Sequence, residues 1–130
     1  MAPLNSAGAK PQDLEFFKID QAGFDQKTHI WASDRMIAQN NSWTSTIPSD
    51  IKPGKYVFRH ELVALQFASE GNPQGPGTVT TGAQFYPICL NVEVTGTGTQ
   101  TPAGVKFPGG YNPAEPGIIY NMFEGMFISF

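Results

Sequence analysis

The sequence of 130 residues contains one cysteine, two histidines and no long apolar run. One cysteine cannot form a disulfide within the chain, and alone it is most often a small buried apolar side chain. In a secreted protein, an unpaired cysteine suggests a partner elsewhere. No segment stays apolar for long enough to span a membrane. The first thirteen residues, MAPLNSAGAKPQD, lack the apolar centre of a signal peptide.

Basic residues are also few. Eight Lys and Arg residues stand against eleven Asp and Glu residues, which gives a net charge of -3. Binding to phosphate backbones or to anionic lipid headgroups depends on clusters of positive charge, and the sequence has no basic stripe. We therefore expect no nucleic-acid partner and no membrane partner.

The residue sets typical of catalysis are missing as well. His29 and His60 do not form an HxH or HExxH spacing, so they do not predict a metal site built from paired imidazoles. The glycines between positions 71 and 82 lack the Lys and Ser or Thr of a phosphate-binding loop. No serine stands in a nucleophile elbow. From residue types alone, the sequence predicts a β-rich domain without a catalytic set of its own.

The abundant residues favour short strands and turns. Fourteen glycines and eleven prolines, with 12% aromatic residues, are typical of an all-β fold, and the length suits one domain rather than two. Residues 1–13 are predicted to be a flexible lead-in, and 67–81 a long loop. A short helix within 31–43 is predicted to begin with Ser33 as its cap and to end at Asn40 and Asn41. Strands are predicted over 14–24, 43–47, 55–65, 89–95 and 117–123.

Two local patterns could carry function. Gln84 and Tyr86 precede Pro87, which holds its neighbour extended, so a carboxamide and a phenol are expected near the entrance to a strand. The alternative is a core tyrosine beside a surface glutamine. Asn40, followed by Asn41 and Ser42, forms a glycosylation sequon, which matters only in a secreted chain.

Six segments in collinear order resemble one family. They run from Leu14 to Phe123 and read LEFFKIDQAG, WASDRMIAQNNSWT, IPSDIKPGKYVFRHELVAL, GAQFYPICLNVEVTGTGT, PAGVKFPGGY and EPGIIYNMF. Together they resemble the C-terminal part of the fungal lytic polysaccharide monooxygenases of auxiliary activity family nine, formerly glycoside hydrolase family sixty-one.

The resemblance implies a secreted, copper-dependent enzyme that oxidatively cleaves cellulose or related β-glucans on an immunoglobulin-like (fibronectin-type) β-sandwich. In this family the copper is held by a histidine brace, made by an N-terminal His and a second His, with a tyrosine hydroxyl in the axial position. By motif, Tyr86 is that tyrosine. Gln84 matches a glutamine that does not bind the copper itself but forms hydrogen bonds next to the copper ligands. Cys89 matches a disulfide cysteine whose partner lies in the N-terminal half.

The sequence also departs from the family pattern. Met1 stands where the brace would begin, the half with the second brace histidine is absent, and Gln66 replaces a histidine close to the copper site. A lone phenol, normally protonated at neutral pH, holds Cu(II) poorly. We therefore expect residues 14–130 to be the C-terminal part of one sandwich domain, which is incomplete, does not bind copper alone and is inactive without its N-terminal half.

The substrate-facing residues implied by the resemblance are Tyr111 and Phe123, which would stack on a cellulose surface. The alternative is that Tyr111 anchors its loop and Phe123 belongs to the core. Two other functions stay open at this point: a glucan-binding accessory domain without metal, and a structural remnant without activity. An extracellular location is implied by the resemblance alone.

Overall fold

The fold is centred on a long β-hairpin. The computed structural model describes residues 1–6, 8–68, 82–112, 115 and 117–121. Strand β4, Gly54–Ala64, pairs antiparallel with β5, Gln84–Val94, over all eleven residues of each. The short strand β1, Ala2–Pro3, pairs with the other edge of β4, so the sheet order is β1-β4-β5. The strand predicted over 55–65 is therefore confirmed, displaced by one residue.

Strand β5 begins five residues before the predicted start at Cys89. Pro87 lies within it, opposite Glu61 of β4. Proline removes one backbone donor, and a strand tolerates this loss at the edge of a sheet, where β5 lies. Pro87 therefore does not end the strand, and Gln84 and Tyr86 belong to it.

The sheet is covered on both faces only at one end. Tyr56 and its alternate residues form what we call the Tyr56 face, and Val57 and its alternate residues form the Val57 face, because neighbouring side chains of a strand point to opposite sides. Tyr56 packs in a buried cluster with Met1, Phe17, Ile51 and Val94. Val57 packs in a second buried cluster, with Ala2, Leu14 and Phe16.

A small ribbon and a helix follow the N-terminal segment. Strands β2, Phe24–Asp25, and β3, Ile30–Trp31, pair antiparallel, and helix α1, Ala32–Ala38, follows directly. The helix ends at Ala38, and two left-handed residues, Asn40 and Asn41, follow the C-cap Gln39 with φ of 58° and 56°. This confirms the predicted end of the helix.

Its predicted beginning is wrong. The capping position belongs to Trp31, without a side-chain hydrogen bond, and Ser33 lies in the first turn. Within the described part of the chain, no helix is long and apolar enough to cross a membrane.

Three predicted strands are not found. Within 14–24 only Phe16 forms a single bridge, with Val105, until β2 begins at Phe24. Residues 43–47 form no strand: none of the described strands pairs with them, and the side chains of Trp43 and Ser45 hydrogen-bond the Asp20 carboxylate, at 3.1 and 2.7 Å. Residues 117–119 form a turn, 120–121 are irregular, and 122–123 lie outside the described residues. Apolar and β-branched residues favour a strand only where a neighbouring strand is available to pair.

The first residues of the predicted flexible lead-in pack against the sheet. Met1 and Ala2 are buried, and the Leu4 backbone N–H donates to the Lys55 carbonyl at 2.8 Å. They complete both buried clusters beside β4. Residues 1–4 thus have partners at the edge of β4, and the flexibility of residues 1–13 stays a prediction.

Candidate functional site

The candidate site lies at the open end of the hairpin, where β4 ends and β5 begins. Gln84 pairs with Ala64 and Tyr86 with Leu62, so both polar side chains belong to the Tyr56 face. Just beyond β4, the Gly82 N–H donates to the Phe67 carbonyl at 2.9 Å. This bond holds the residues that follow β4 beside the start of β5.

Three polar side chains meet there. The Tyr86 hydroxyl donates to Oε1 of Gln84 at 2.8 Å. Nε2 of Gln66 donates to the same oxygen at 3.2 Å. The phenol and carboxamide predicted near a strand entrance are thus brought together, and the Gln66 that departs from the family pattern joins them. Tyr86 is 55% exposed, so it is not the core tyrosine of the alternative.

An exposed apolar row continues from Tyr86 along the same face. Ile88 is 60% exposed and Leu90 56%, and Leu62 opposite Tyr86 is also exposed. Farther along the hairpin, Val92 and Phe58 pack against the buried cluster around Tyr56. The Tyr56 face is therefore covered at its far end and open next to the candidate site.

The opposite, Val57 face carries a charged cluster. Arg59 forms an ion pair with Glu61, and the other carboxylate oxygen of Glu61 accepts a hydrogen bond from the Tyr111 hydroxyl. The Tyr111 ring is stacked on Phe85, with centroids 4.8 Å apart, and is tilted against Phe107 at 4.9 Å. Tyr111 is half-buried in this cluster.

Burial and the Glu61 carboxylate determine the charge states of Tyr111 and Arg59 in this cluster. Burial raises the pKa of the Tyr111 phenol, and the hydrogen bond to Glu61 and its negative charge raise it further. For Arg59, burial lowers the pKa, but the hydrogen bond and charge of Glu61 outweigh burial and raise it overall. The guanidinium therefore stays charged and the phenol stays neutral. The Arg59 guanidinium carbon also lies 4.1 Å from the Phe107 ring centroid.

Known proteins resemble this chain over almost its whole length. The profile of Auxiliary Activity family 9 (formerly GH61) matches residues 1–127. The AA9 family lytic polysaccharide monooxygenase B of Geotrichum candidum is 49% identical over 116 residues, covering 89% of this chain and 29% of that protein. The AA9 family lytic polysaccharide monooxygenase A of Gloeophyllum trabeum is 48% identical over 131 residues, covering 98% of this chain and 34% of that protein. Cel61B from Hypocrea jecorina, described as a glycoside hydrolase family 61 member, superposes with a TM-score of 0.72 at 43% identity, covering 85% of this chain and 45% of that chain.

This chain belongs to Auxiliary Activity family 9. The family resemblance drawn from the six segments is confirmed, and so is the all-β, immunoglobulin-like sandwich class with one short helix. The chain spans about a third of the length of these curated relatives and about half of the structurally similar chain.

The residues that meet at Tyr86 do not by themselves fit a copper ion. They offer one phenol and two carboxamides, whereas Cu(II) in proteins favours imidazole nitrogen. His29 is stacked on Phe24 at the β2–β3 ribbon, and His60 lies opposite Ile88 on β4. In the part of the chain that the structure describes, no three His, Cys, Asp or Glu side chains are grouped to hold a metal.

The other predicted site residues lie away from Tyr86. Cys89 is an exposed free thiol on the Val57 face, opposite Arg59, so it is not the small buried side chain of the alternative. Its disulfide role stays a prediction. Asn40 is exposed at the end of α1, and its glycosylation also stays a prediction. Phe123 lies outside the described residues.

Sequence reasoning missed the partners of Tyr111. The charged pair Arg59 and Glu61 was visible as alternate residues on one side of a predicted strand. Nothing in the spacing linked Glu61 to a tyrosine 50 positions away. The sequence carries one relevant signal, FPGGY, in which proline and two glycines predict a turn between two aromatic residues.

Proposed function

We propose that this chain is the C-terminal part of an extracellular, copper-dependent monooxygenase that oxidatively cleaves cellulose or a related β-glucan. Membership of Auxiliary Activity family 9 supports the reaction class. The observation that carries the assignment to particular residues is the exposed Tyr86 phenol hydrogen-bonded to Gln84 at the open end of the hairpin. In this proposal the Tyr86 phenol oxygen would help to hold the copper ion, which would supply the oxidative chemistry, and the Gln84 carboxamide would hydrogen-bond next to it.

We propose that the histidine ligands of the copper ion come from another part of the domain, not from the residues around Tyr86. The phenol and carboxamides at the site are poor ligands by themselves, so the chain alone is inactive in this proposal. The exposed row of Leu62, Ile88 and Leu90 next to Tyr86 supports a covering partner, because a sandwich buries such a face under its second sheet. We take that partner to be the N-terminal half of the domain, with Cys89 as the disulfide link to it.

Glucan contact by Tyr111 and Phe123 remains a prediction. The described contacts of Tyr111 favour the alternative of a loop anchor, since its hydroxyl is bonded to Glu61 and one ring face is stacked on Phe85. In that role Tyr111 supports the substrate surface by holding its loop in place. Tyr111→Phe and Tyr111→Leu separate the two roles. Loss of the anchoring hydroxyl lowers thermal stability in both variants, whereas a stacking contact with glucan is lost only in Tyr111→Leu, which would then be retained less on cellulose at temperatures where it is folded.

Copper binding by the purified chain tests the first part of the proposal. We expect isothermal calorimetry with Cu(II) to show no tight stoichiometric site, and Tyr86→Phe to give the same trace. The matched control is Tyr120→Phe, which changes another exposed tyrosine, in contact with Trp31 rather than with Gln84. Tight binding that is lost in Tyr86→Phe alone would mean that these residues form a complete site, against the proposal.

Co-expression tests the second part. The chain is produced together with the part of the Gloeophyllum trabeum relative that lies outside the matched region, and the pair is purified under non-reducing conditions. We expect a complex that binds one copper ion, and loss of oxidised oligosaccharide products with Tyr86→Phe. Cellulose retention by the chain alone, without copper, would instead favour the accessory glucan-binding domain. A complex that binds copper equally well with either residue at position 86 would contradict the role given to Tyr86.

A further inference from the structure

We propose that a second copy of this chain pairs with the open edge of β5 as an antiparallel strand. The sheet order is β1-β4-β5, so β5 has a neighbouring strand on one side only. Two copies related by a twofold axis would extend this sheet across their contact. The pairing uses the edge of the sheet and leaves the Tyr56 face to another partner. The inference therefore goes beyond the proposed function and does not depend on copper.

The hydrogen-bond pattern identifies the backbone groups that this edge presents. The Leu4 N–H donates to the Lys55 carbonyl at 2.8 Å, so the backbone polar groups of Lys55 face β1. Because these groups alternate in direction along a strand, those of Tyr56 face β5 and its partner Val92. The even-numbered residues of β5 therefore bond to β4. The backbone groups that point outward belong to Phe85, Pro87, Cys89, Asn91 and Glu93.

These outward groups are available to a partner. Among the residues that the structure describes, no backbone group beyond β5 bonds to them. Pro87 is the one outward residue without an N–H, so the ladder to β4 loses no bond at this position. Residues 86–91 are exposed. The edge thus presents a nearly complete row of donors and acceptors, which is what addition of a further strand requires.

The side chains of β5 are complementary to themselves in one register. Cys89 is the middle residue of Gln84–Val94, so full overlap of two antiparallel copies places Cys89 opposite its counterpart. Ile88 then lies opposite Leu90 of the second copy, and these side chains are 60% and 56% exposed in one chain. Directly opposed apolar pairs stabilise an antiparallel ladder. The pairing therefore joins the exposed apolar rows of the two copies into one patch.

Charge and contact area fit a reversible dimer. Glu93 is the one charged residue of β5, and Lys55 lies opposite it on β4. In full overlap the two copies of Glu93 are about 27 Å apart, well beyond the screening length of about 8 Å at physiological salt. Contact along about 37 Å of strand, in a layer about 10 Å thick, covers roughly 370 Å² per copy. A stable interface buries about 800 Å² per partner, so we expect monomer and dimer in exchange.

Amide exchange tests the pairing on the complete chain without metal. The N–H groups of the even-numbered residues of β5 bond to β4, so we expect them to exchange slowly at every protein concentration. Those of Phe85, Cys89 and Asn91 should exchange rapidly in dilute samples. Where sedimentation velocity shows about four-fifths dimer, they should exchange about fivefold more slowly, since only the monomer exposes them.

Two outcomes of this experiment would overturn the proposal. One is exchange of the outward amides that does not change with concentration. The other is a chain that stays monomeric and whose outward amides are protected only by the co-produced N-terminal half, which would assign the edge to that half.

Proline variants change the donors of the edge alone. Cys89→Pro removes the central N–H of each copy, and we expect a folded chain whose dimerisation is about 25-fold weaker. Cys89→Val is the matched control, because it removes the thiol and keeps the N–H. Pro87→Val adds a donor opposite Asn91 in each copy and should strengthen dimerisation by about 25-fold. An unchanged association constant in Pro87→Val, or in Cys89→Pro that is folded by circular dichroism, would overturn the proposal.

Disulfide trapping tests the register. Ile88→Cys and Leu90→Cys are made in separate chains, each with Cys89→Ser. Residues 88 and 90 of opposite copies form a pair without backbone hydrogen bonds, with Cα atoms about 4.5 Å apart, which a disulfide can span. Oxidised glutathione should link the two variants in a mixture, with release of reduced glutathione, and should link neither variant alone. No link in the mixture, or equal links in one variant alone, would overturn the register. Failure of copper binding would leave all these results unchanged, so the two proposals fail separately.

Discussion

Removing the Tyr111 hydroxyl should destabilise the protein although the aromatic ring remains. In Tyr111→Phe the stacking on Phe85 and Phe107 is kept, and only the hydrogen bond to Glu61 is lost. Glu61 has a side-chain exposure of 8% and keeps its ion pair with Arg59. A hydrogen bond to a charged group contributes about 1.5–3 kcal/mol, so we expect a loss of about 2 kcal/mol.

The corresponding change in melting temperature follows from the size of the chain. An unfolding entropy of about 2.1 cal/mol/K per residue gives ~0.27 kcal/mol/K for a chain of this length, so a loss of ~2 kcal/mol lowers Tm by about 7 °C. Differential scanning calorimetry measures this shift. Tyr120→Phe is the matched control and should change the free energy of unfolding by less than about 0.5 kcal/mol.

The same variant also changes the response to alkaline pH. Burial and Glu61 raise the pKa of Tyr111 in the folded state above its unfolded value of about 10. The stabilisation is therefore complete below about pH 10 and is lost as the pH rises through the folded pKa. Tyr111→Phe should lack this alkaline loss. A Tm shift below 1 °C, or the same alkaline loss in both proteins, would refute the anchoring role of the hydroxyl.

Two more predictions concern the open face and the N-terminus. Ile88→Thr, at a side chain 60% exposed, should reduce self-association in light scattering with little change in Tm, and a fall of several degrees would mean that copies of the chain already cover this face. Burial, assisted by the positive charge of Arg59, lowers the pKa of the Met1 amine to about 6. Because the unfolded amine takes up a proton below about pH 8 and the folded one does not, stability should rise from pH 6 to pH 8. Urea unfolding measures this in a background where His29 and His60 are replaced by Gln, and a flat profile would contradict it.

The sequence predicted those parts of the fold that are determined by residues close together in the chain. The alternation of residues 55–65 was sufficient to place β4, and the two asparagines at 40 and 41 were sufficient to end α1. The strand expected over 43–47 is not found because none of the described strands lies beside this segment to pair with it; its Trp43 and Ser45 side chains instead contact the distant Asp20. A pattern within one segment carries no information about such a partner.

The candidate site was predicted for a similar reason, and only in part. The sequence predicted Gln84 and Tyr86 near the entrance to a strand, and their common face follows only because β5 begins earlier, at Gln84, and includes both. Their bond to Gln66 requires the hairpin to close across 18 positions. Likewise, the hydrogen bond between Tyr111 and Glu61 depends on how a proline- and glycine-rich loop returns to the sheet. Such loops lack the regular alternation of apolar and polar residues from which a structure can be predicted.

The position of Tyr86 depends on residues at the far end of the hairpin. Tyr86 and Glu61 lie almost back to back across the sheet, since Leu62 pairs with Tyr86 and Glu61 with Pro87. A slip of one residue along β5 would turn Tyr86 toward the Val57 face, where Tyr111 and Arg59 are. The open end of the hairpin offers little apolar burial to resist such a slip. The register is instead specified where Tyr56 and Val57 enter their two buried clusters, because there a slip would expose core side chains on both faces at once.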